Sequence, residues 1–177
     1  MQFSGFIFYI SQMHAKLLVL LLGSNLGDRS GNLQKTLLMI RECFGHIVSV
    51  SSVYETAPWG YTSKNSFLNQ CLAIWSELDP RHILEQIHMI EARLGRLERN
   101  PVYADRVIDI DILFYGDTVL ACPDLHIPHK KVHERRFSLV PLAEILPDFE
   151  HPVFRKKIRT LLAECKDELP VERITAG

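Results

Sequence analysis

A strictly alternating run at residues 106–114 constrains this chain more than any other feature. Ile108, Ile110 and Ile112 alternate there with Asp109 and Asp111. A period of two is typical of a half-buried β-strand, on which the isoleucines face one side of a sheet and both carboxylates face the other. We therefore expect the two aspartates on one face, about 6.5–7 Å apart along the strand.

The two carboxylates favour a site for a cation. Like charges at this spacing repel each other unless a cation lies between them. Mg²⁺ takes hard oxygen ligands, often one or two carboxylates, when phosphate groups supply the remainder. Asp109 and Asp111 therefore predict a magnesium site that faces phosphates. The alternative is the solvated face of an edge strand, where the carboxylates hold no ligand.

Length and charge limit the classes of function. With 177 residues the chain is long enough for one domain with a core of its own. Lys and Arg number 20 and Asp and Glu number 21, so no overall positive charge favours nucleic acid. The apolar run at residues 5–10 is far too short to span a bilayer, so no membrane partner is expected.

The cysteines and the N-terminus add two expectations. The four cysteines contain no CxxC pair, which argues against zinc and against a disulfide framework. Reduced thiols are typical of a cytoplasmic protein. Met13 stands shortly before the first convincing strand, so residues 1–12 are interpreted as an extension without function and residues 13–177 as the single domain.

The predicted elements follow a β-α-β-β-α-β order. Asp28 or Ser30 caps the first helix, and Asp79 with Pro80 begins the second. This order is that of the split βαβ arrangement, which predicts an α+β fold with an antiparallel sheet, helices on one face and C-terminal additions. Strands are predicted at residues 16–22, 47–55, 67–78, 106–114 and 118–121, and C-terminal helices at residues 134–145, disturbed by Pro141, and 155–164.

Two basic groups and three further residues are candidates for ligand contacts. Guanidinium groups suit phosphate oxygens, although charged loops are commonly only solvated. Phe67 and Phe137 are either core residues or rings that sandwich a planar heterocycle, whose edge Asn69 would read. The turn at residues 23–28 is a weak anion-site signal. The basic groups are Arg93, Arg96, Arg99 and Arg106, and then His129, Lys130, Lys131, His133, Arg135 and Arg136.

Four motifs occur in one order along the chain and together resemble a known family. They are Leu22–Gly27, Tyr54–Pro58 with Phe67–Asn69, Arg106–Asp111, and Ile127–His129 with Arg135–Phe137 and Pro141–Leu142. From about Lys16 to about Pro152, the chain resembles the 6-hydroxymethyl-7,8-dihydropterin pyrophosphokinases of folate biosynthesis. The resemblance implies a ferredoxin-like α+β fold, which agrees with the element order.

The resemblance also implies a reaction. Family members transfer the pyrophosphoryl group of ATP, a co-substrate, to the hydroxymethyl group of the reduced pterin and release AMP. Asp109 and Asp111 are expected to hold two Mg²⁺ ions and, with Arg96 and Arg106, to form the catalytic set. A metal-bound or Asp-assisted alcohol is the expected nucleophile. The expected partners are small molecules only, with neither nucleic acid nor membrane, and the expected state is a monomer or homodimer.

The resemblance further assigns residues to each substrate. Phe67 and Phe137 are expected to stack on the two faces of the pterin, and Asn69 to bind its edge. The backbone around Thr56, Ala57, Pro58 and Trp59 would complete that edge. The residues expected to line the ATP side are Glu91, Arg96, Arg106, Ile112, His129 and Arg135.

One loop departs from the family pattern. Many relatives carry Arg-Trp-Gly-Pro-Arg before the metal-binding strand, where this chain has Val102, Tyr103, Ala104, Asp105 and Arg106. A further family arginine is replaced by glutamate at residue 98. The loops at residues 96–105 and 59–66 are predicted lids that exclude water when both substrates are bound.

Two other functions are compatible with the same residues. A non-catalytic ferredoxin-like module would bind a nucleotide without turning it over, although pure binding needs no paired metal carboxylates. An ordinary kinase would transfer only the γ-phosphate and release ADP instead of AMP.

Overall fold

The computed structural model describes residues 15–96 and 104–174, so the predictions for residues 1–12, Glu98, Arg99, Val102 and Tyr103 lie outside the described residues. A six-stranded antiparallel sheet forms the centre. The elements in chain order are β1 (Lys16–Ser24), α1 (Arg29–Phe44), β2 (Ile47–Val50), β3 (Tyr54–Thr56), β4 (Phe67–Ser76), α2 (Pro80–Arg93), β5 (Asp109–Tyr115), β6 (Leu120–Ala121), β7 (His126–Ile127), a 3₁₀ turn (Val132–Glu134), α3 (Arg136–Ile145), α4 (Ile158–Glu164) and β8 (Val171–Arg173).

The strand order confirms the predicted fold class. The sheet runs β5-β1-β4-β3-β8, and β2 pairs with the same edge of β4 as β3 does. The predicted second strand is split into β2 and β3, because the hydroxyl of Ser51 takes the place of its backbone carbonyl in the pairing with β4. Its backbone N–H donates to the carbonyl of Cys71, and its hydroxyl accepts from the N–H of Cys71, each at 2.9 Å. The molecule is thus α+β with the ferredoxin-like order.

Helices cover both faces of the sheet. The predicted helices α1 and α2 lie on one face, over a core that includes Leu18, Leu20 and Leu22. The C-terminal additions, α3 and α4, cover the other face over Val19 and Leu21. Since β1 is buried from both sides, its apolar residues run without interruption instead of alternating.

A bulge interrupts the alternation of side chains along β5, so that one sheet face carries charged residues at one end of the strand and apolar residues at the other. Ile110 and Ile112 are buried with α1 and α2, whereas Asp109 and Asp111 face the opposite side. The register with β1 then shifts between Leu20, opposite Ile112, and Val19, opposite Phe114. Phe114 therefore joins the apolar core beneath α3 and α4. The result is a single charged end on an otherwise apolar sheet face.

The C-terminal elements differ from their predicted bounds. Helix α3 runs through Pro141, which is buried inside it, and begins only at Arg136 because a 3₁₀ turn precedes it. Helix α4 is shorter than predicted. Strand β8, which the sequence did not predict, pairs with β3. Within the described ranges, no helix has both the length and the hydrophobicity needed to cross a bilayer.

His151 links the second core to acid stability. It is 3% exposed, and its Nδ1 accepts from the backbone N–H groups of Val153 and Phe154. Burial, followed by the positive charge of His133, lowers the pKa of His151 from 6.5 to about 4. The folded state therefore favours the neutral ring. The contribution of His151 to the free energy of unfolding is complete above pH 6.5 and is lost as the pH falls towards 4.

We expect His151→Asn, which keeps an acceptor but cannot titrate, to remove that pH dependence. Between pH 7 and pH 4 the parent should lose about 3 kcal/mol more unfolding free energy than the variant. Urea denaturation at the two pH values measures this difference. The exposed His46→Asn is the matched control and should follow the parent. Equal slopes for parent and His151→Asn would contradict the assignment.

Candidate active site

Two cavities meet at the charged end of the sheet. The smaller has a volume of about 90 Å³ and the larger about 600 Å³. They share Arg106, Asp109, Asp111 and Arg135 as a common wall. The antiparallel register produces this arrangement, because Gly23 of β1 lies opposite both Asp109 of β5 and Asn69 of β4. The predicted catalytic carboxylates and both predicted substrate sides are therefore brought together.

The carboxylate pair is only partly neutralised. Arg106 donates from Nη1 to Asp109 at 2.7 Å, and Arg96 donates to the other oxygen of Asp109. Asp111 has a more distant partner, Arg135, at 3.9 Å. Burial, together with the negative charge of Asp109, raises the pKa of Asp111 well above its usual range. A cation between the two carboxylates would relieve this unfavourable state.

The chemistry of this donor set fits magnesium. Among residues 15–96 and 104–174, no three His, Cys, Asp or Glu side chains gather into a metal cage. Mg²⁺ does not need such a cage, because it commonly binds one or two carboxylates and completes its shell with phosphate oxygens and water. Asp109 and Asp111 together, facing both cavities, supply the protein's share of such a site.

Glu91 holds the arginine that reaches Asp109. Helix α2 ends in a turn at Gly95, whose φ of 100° suits glycine, and this turn returns Arg96 towards the helix. Arg96 then donates to both Glu91 and Asp109. Glu91 is 7% exposed and also accepts from the backbone N–H of Ile110 at 3.0 Å. Burial raises the pKa of Glu91 to about 7. Its contacts with Arg96 and with the N–H of Ile110 make it a buried anchor for Arg96.

The last residue of β1, Ser24, and the turn that begins at Asn25 fasten the segment just before β5. Asn25 donates its backbone N–H to the carbonyl of Arg106 at 3.1 Å, and its Oδ1 accepts from the N–H of Arg106 at 2.7 Å. The hydroxyl of Ser24 donates to the carbonyl of Val107 at 2.6 Å. The turn thus orients Arg106, a role that its weak anion-site signal did not predict.

Asp105 connects the predicted lid at residues 59–66 to the segment just before β5. Its carboxylate accepts from Asn25 at 2.7 Å, from Asn65 at 2.6 Å and from the hydroxyl of Ser63 at 3.0 Å. Tyr61, which lines the smaller cavity, donates to it at 3.3 Å. Asp105, one of the residues that depart from the family pattern, therefore ties the loop at residues 59–66 to the segment just before β5. Sequence reasoning missed this role, because all four donors lie at least 40 residues away.

The smaller cavity has an aromatic and amide lining. Phe67, Asn69 and Phe137 all line it, together with Thr56. Asn69 is buried and donates from Nδ2 to the hydroxyl of Thr56 at 2.7 Å, so its amide orientation is set. At Gly23 a Cβ would lie 3.2 Å from Oδ1 of Asn69, and a larger residue would crowd this wall. Ala57 and Trp59 also line the cavity, whereas Pro58 does not.

Arg135 stands between the two cavities. Its guanidinium lies 4.9 Å from the ring centre of Trp59 and 5.5 Å from that of Phe137. Its Nε is buried and has no hydrogen-bond partner among the described residues. A buried donor without a partner is costly, and the guanidinium group that carries it lies at the junction of the two cavities.

The larger cavity contains the other predicted ATP-side residues. Glu91, Arg96, Ile112 and His129 line it. Burial, and then the charge of Arg135, lowers the pKa of His129 to about 4, so its ring is neutral at pH 7. Nδ1 of His129 accepts from the backbone N–H of Lys131 at 3.3 Å, which leaves the proton on Nε2 as a donor. Polar lining residues to which the family resemblance assigned no substrate contact are His88, Asp124, His126 and Lys130. Arg93 is exposed and lines neither cavity.

Comparison with a family model and with curated proteins gives consistent matches. The model of 7,8-dihydro-6-hydroxymethylpterin-pyrophosphokinase (HPPK) matches residues 19–147. The 2-amino-4-hydroxy-6-hydroxymethyldihydropteridine pyrophosphokinase of Porphyromonas gingivalis is 42% identical over 134 residues, which cover 74% of this chain and 90% of that protein. The protein of the same name from Aquifex aeolicus is 38% identical over 143 residues, covering 81% and 88%.

Solved structures support the fold. A Plasmodium falciparum HPPK-DHPS structure superposes with a TM-score of 0.67 at 19% identity. The alignment covers 85% of this chain and 44% of that chain. At this identity the likeness concerns the fold alone, and it agrees with the strand order described above.

Proposed function

This chain belongs to the 7,8-dihydro-6-hydroxymethylpterin pyrophosphokinase family, and from that membership we propose that its two cavities bind the two substrates of one reaction. The reaction is pyrophosphoryl transfer from ATP to hydroxymethyldihydropterin, a step in folate biosynthesis. In our proposal the smaller cavity holds the pterin and the larger one holds ATP. The observation that carries it is the common wall, where Asp109 and Asp111 face both cavities.

The common wall is where charge changes during the transfer. The hydroxymethyl oxygen forms a bond to the β-phosphorus, the bond from that phosphorus to the oxygen shared with the α-phosphorus breaks, and AMP leaves with that oxygen. Asp109 and Asp111 would hold two Mg²⁺ ions, which neutralise phosphate charge and polarise phosphate oxygens when bound. Asp111, which lies on the common wall between the two cavities, is our candidate acceptor for the hydroxyl proton.

The arginines are proposed to hold the phosphates in line. Arg96 and Arg106 are positioned by Glu91, Asp109 and the turn at Asn25, so little reorganisation is required when ATP binds. Arg135 has a buried Nε without a partner among the described residues and lies at the junction of the cavities. Guanidinium groups in fixed positions stabilise the charge that spreads over the transferred oxygens.

The aromatic cavity suits a flat, polar heterocycle. Phe67 and Phe137 are proposed to contact the two faces of the pterin, and the fixed amide of Asn69 its edge. The chain around Thr56, Ala57 and Trp59 would supply further edge contacts; Pro58 stays a prediction without support from the cavity lining. Ring stacking and amide hydrogen bonds together favour a flat ring in this cavity over the phosphate groups of ATP.

Removing one stacking ring should weaken pterin binding selectively. We expect Phe137→Ala to raise the KM for the pterin by about tenfold to a hundredfold, because one aromatic–heterocycle stack is worth that much. The KM for ATP should stay within about twofold. Steady-state assays with each substrate varied in turn measure both constants. Trp75→Ala, which removes an exposed ring that lines neither cavity, is the control. An unchanged KM for the pterin in Phe137→Ala would refute the assignment.

The proposal as a whole is tested by product analysis. Purified protein is incubated with ATP, Mg²⁺ and the hydroxymethyl pterin, and the nucleotides are separated by chromatography. We expect one AMP for each pterin consumed, and none when the metal is chelated. Formation of ADP would indicate transfer of the γ-phosphate alone. Tight binding of ATP without product would favour the non-catalytic module.

Three further expectations stay predictions. The number of Mg²⁺ ions, the monomeric or homodimeric state and the cytoplasmic location follow from the family resemblance and from the reduced thiols. Equilibrium titration with Mg²⁺ in the presence of a non-hydrolysable ATP analogue counts the ions. Light scattering of the purified chain determines the oligomeric state.

A further inference from the structure

We infer that residues 165–174, here called the C-terminal segment, position both walls of the pterin cavity, with Asp167 as the principal positioning residue. The inference rests on the proposed pterin site. The segment lies beyond residues 19–147, which the family model matches. It lines neither of the two cavities, so any effect on the substrate must pass through other residues.

Asp167 caps the helix that carries one wall. Helix α3 begins at Arg136, and the residue before it, Arg135, makes no capping hydrogen bond with its side chain. Asp167 Oδ2 instead accepts from the backbone N–H of Arg136 at 2.9 Å, and its Oδ1 accepts from Leu169 at 3.1 Å. A carboxylate at this point satisfies a free N–H and interacts favourably with the helix dipole. The helix end so held carries Phe137 in its first turn and follows directly on Arg135, and both residues line the cavity.

Strand β8 supports the opposite wall. It pairs antiparallel with β3 so that Val171 lies opposite Thr56 and Arg173 opposite Tyr54. The N–H of Ile174 extends the ladder by donating to the carbonyl of Val53 at 2.9 Å. β3 is therefore not an edge strand, and its last residue, Thr56, accepts the hydrogen bond that orients Asn69. Without β8, this three-residue strand would pair on one side only.

Glu144 connects the two supports. From α3 it accepts from the N–H and hydroxyl of Ser52, at 2.9 and 2.8 Å, and from the hydroxyl of Tyr54 at 2.9 Å. Arg173 of β8 lies 4.0 Å from the same carboxylate. Helix α3, strand β3 and the C-terminal segment thus contact one another in pairs. The spacing between Phe137 on one wall and Asn69 on the other depends on all three.

The test compares substitutions at Asp167 in the full-length chain. We expect Asp167→Ala to raise the KM for the pterin about tenfold, the size of effect that loss of a helix cap permits. The KM for ATP and the Mg²⁺ dependence should stay within about twofold. Asp167→Asn, which keeps the acceptor oxygen, should restore the parental KM for the pterin. Asp167→Glu, which keeps the charge but displaces the oxygens, should give an intermediate increase and replaces Asp167→Ala if that variant does not fold.

Two controls separate positioning from general stability. Asp79→Ala removes the cap of α2, where Asp79 accepts from Arg81 and His82, and should lower the melting temperature without changing the KM for the pterin. Phe137→Ala tests the cavity itself. If Phe137→Ala raises the KM for the pterin and Asp167→Ala does not, the C-terminal segment has no positioning role while the cavity assignment stands. If neither variant raises it, both the cavity assignment and this inference are wrong.

Discussion

Replacing Asp109 by asparagine is expected to lower the rate of AMP formation at saturating substrates by about a thousandfold. Asp109 is proposed as a metal ligand and is also the acceptor for Arg96 and Arg106. An amide at this position keeps the shape but loses the negative charge, so the site loses a Mg²⁺ ligand and the partner of two arginines. Asp111→Asn should have an effect of the same order, because it also removes a proposed Mg²⁺ ligand.

Discontinuous assay of AMP at several Mg²⁺ concentrations measures this effect. Asp117→Asn is the matched control, because this carboxylate lies just beyond the other end of β5 with a side chain that is 93% exposed. It should retain the parental rate. Full turnover in both Asp109→Asn and Asp111→Asn would eliminate the proposed metal site and, with it, the role of the common wall.

Replacing Arg96 by alanine is expected to lower kcat/KM for ATP by about a hundredfold. Arg96 bridges the buried Glu91 and Asp109, so its loss removes a phosphate-facing cation and leaves Asp109 held by Arg106 alone. Glu91 would then lack its nearest positive charge; with a pKa already near 7, it would take up a proton instead of staying charged. The protein should therefore still fold, and the loss should appear mainly in the kinetics.

Two comparisons sharpen this prediction. Arg93→Ala removes an exposed arginine from the last turn of the same helix and should leave kcat/KM for ATP unchanged. Both carboxylates are contacted by Nη1 of Arg96. Arg96→Lys keeps the charge on a shorter side chain without the planar guanidinium, so it should recover only part of the activity. Complete recovery by lysine would mean that charge alone, and not the bridge to Glu91 and Asp109, is what matters.

Local sequence pattern predicted the features that depend on residues close together in the chain, such as strand faces and helix caps. The alternation of β5 determined which face each side chain takes, since side chains of a strand point to opposite sides in turn. That is why Asp109 and Asp111 were correctly expected together, with the isoleucines behind them. The capping residue Asp79 began its helix as predicted for the same local reason. The four ordered motifs identified the family that the comparisons confirm.

Local pattern could not predict the features that depend on distant partners. Strand β8 is only three residues long, too short for a period to be recognised, and exists because β3 offers it a free edge. The break after β2 depends on Ser51 meeting Cys71 across the sheet. The burial that raises the pKa of Glu91 arises only when α2 packs beside β5.

The sequence by itself determined the chemistry of this protein, and the tertiary structure decided how that chemistry is supported. The paired carboxylates predicted a cation site, because residue type sets what a side chain can bind, and the resemblance of four ordered motifs to one family implied the reaction. The supports, by contrast, are Asn25 for Arg106, Asp105 for the loop at residues 59–66, and Asp167 for α3. These hydrogen bonds join residues that lie 81, 40 and 31 positions apart. A local sequence pattern cannot predict contacts between residues so far apart in the chain. They form only when the folded chain brings both partners to one place.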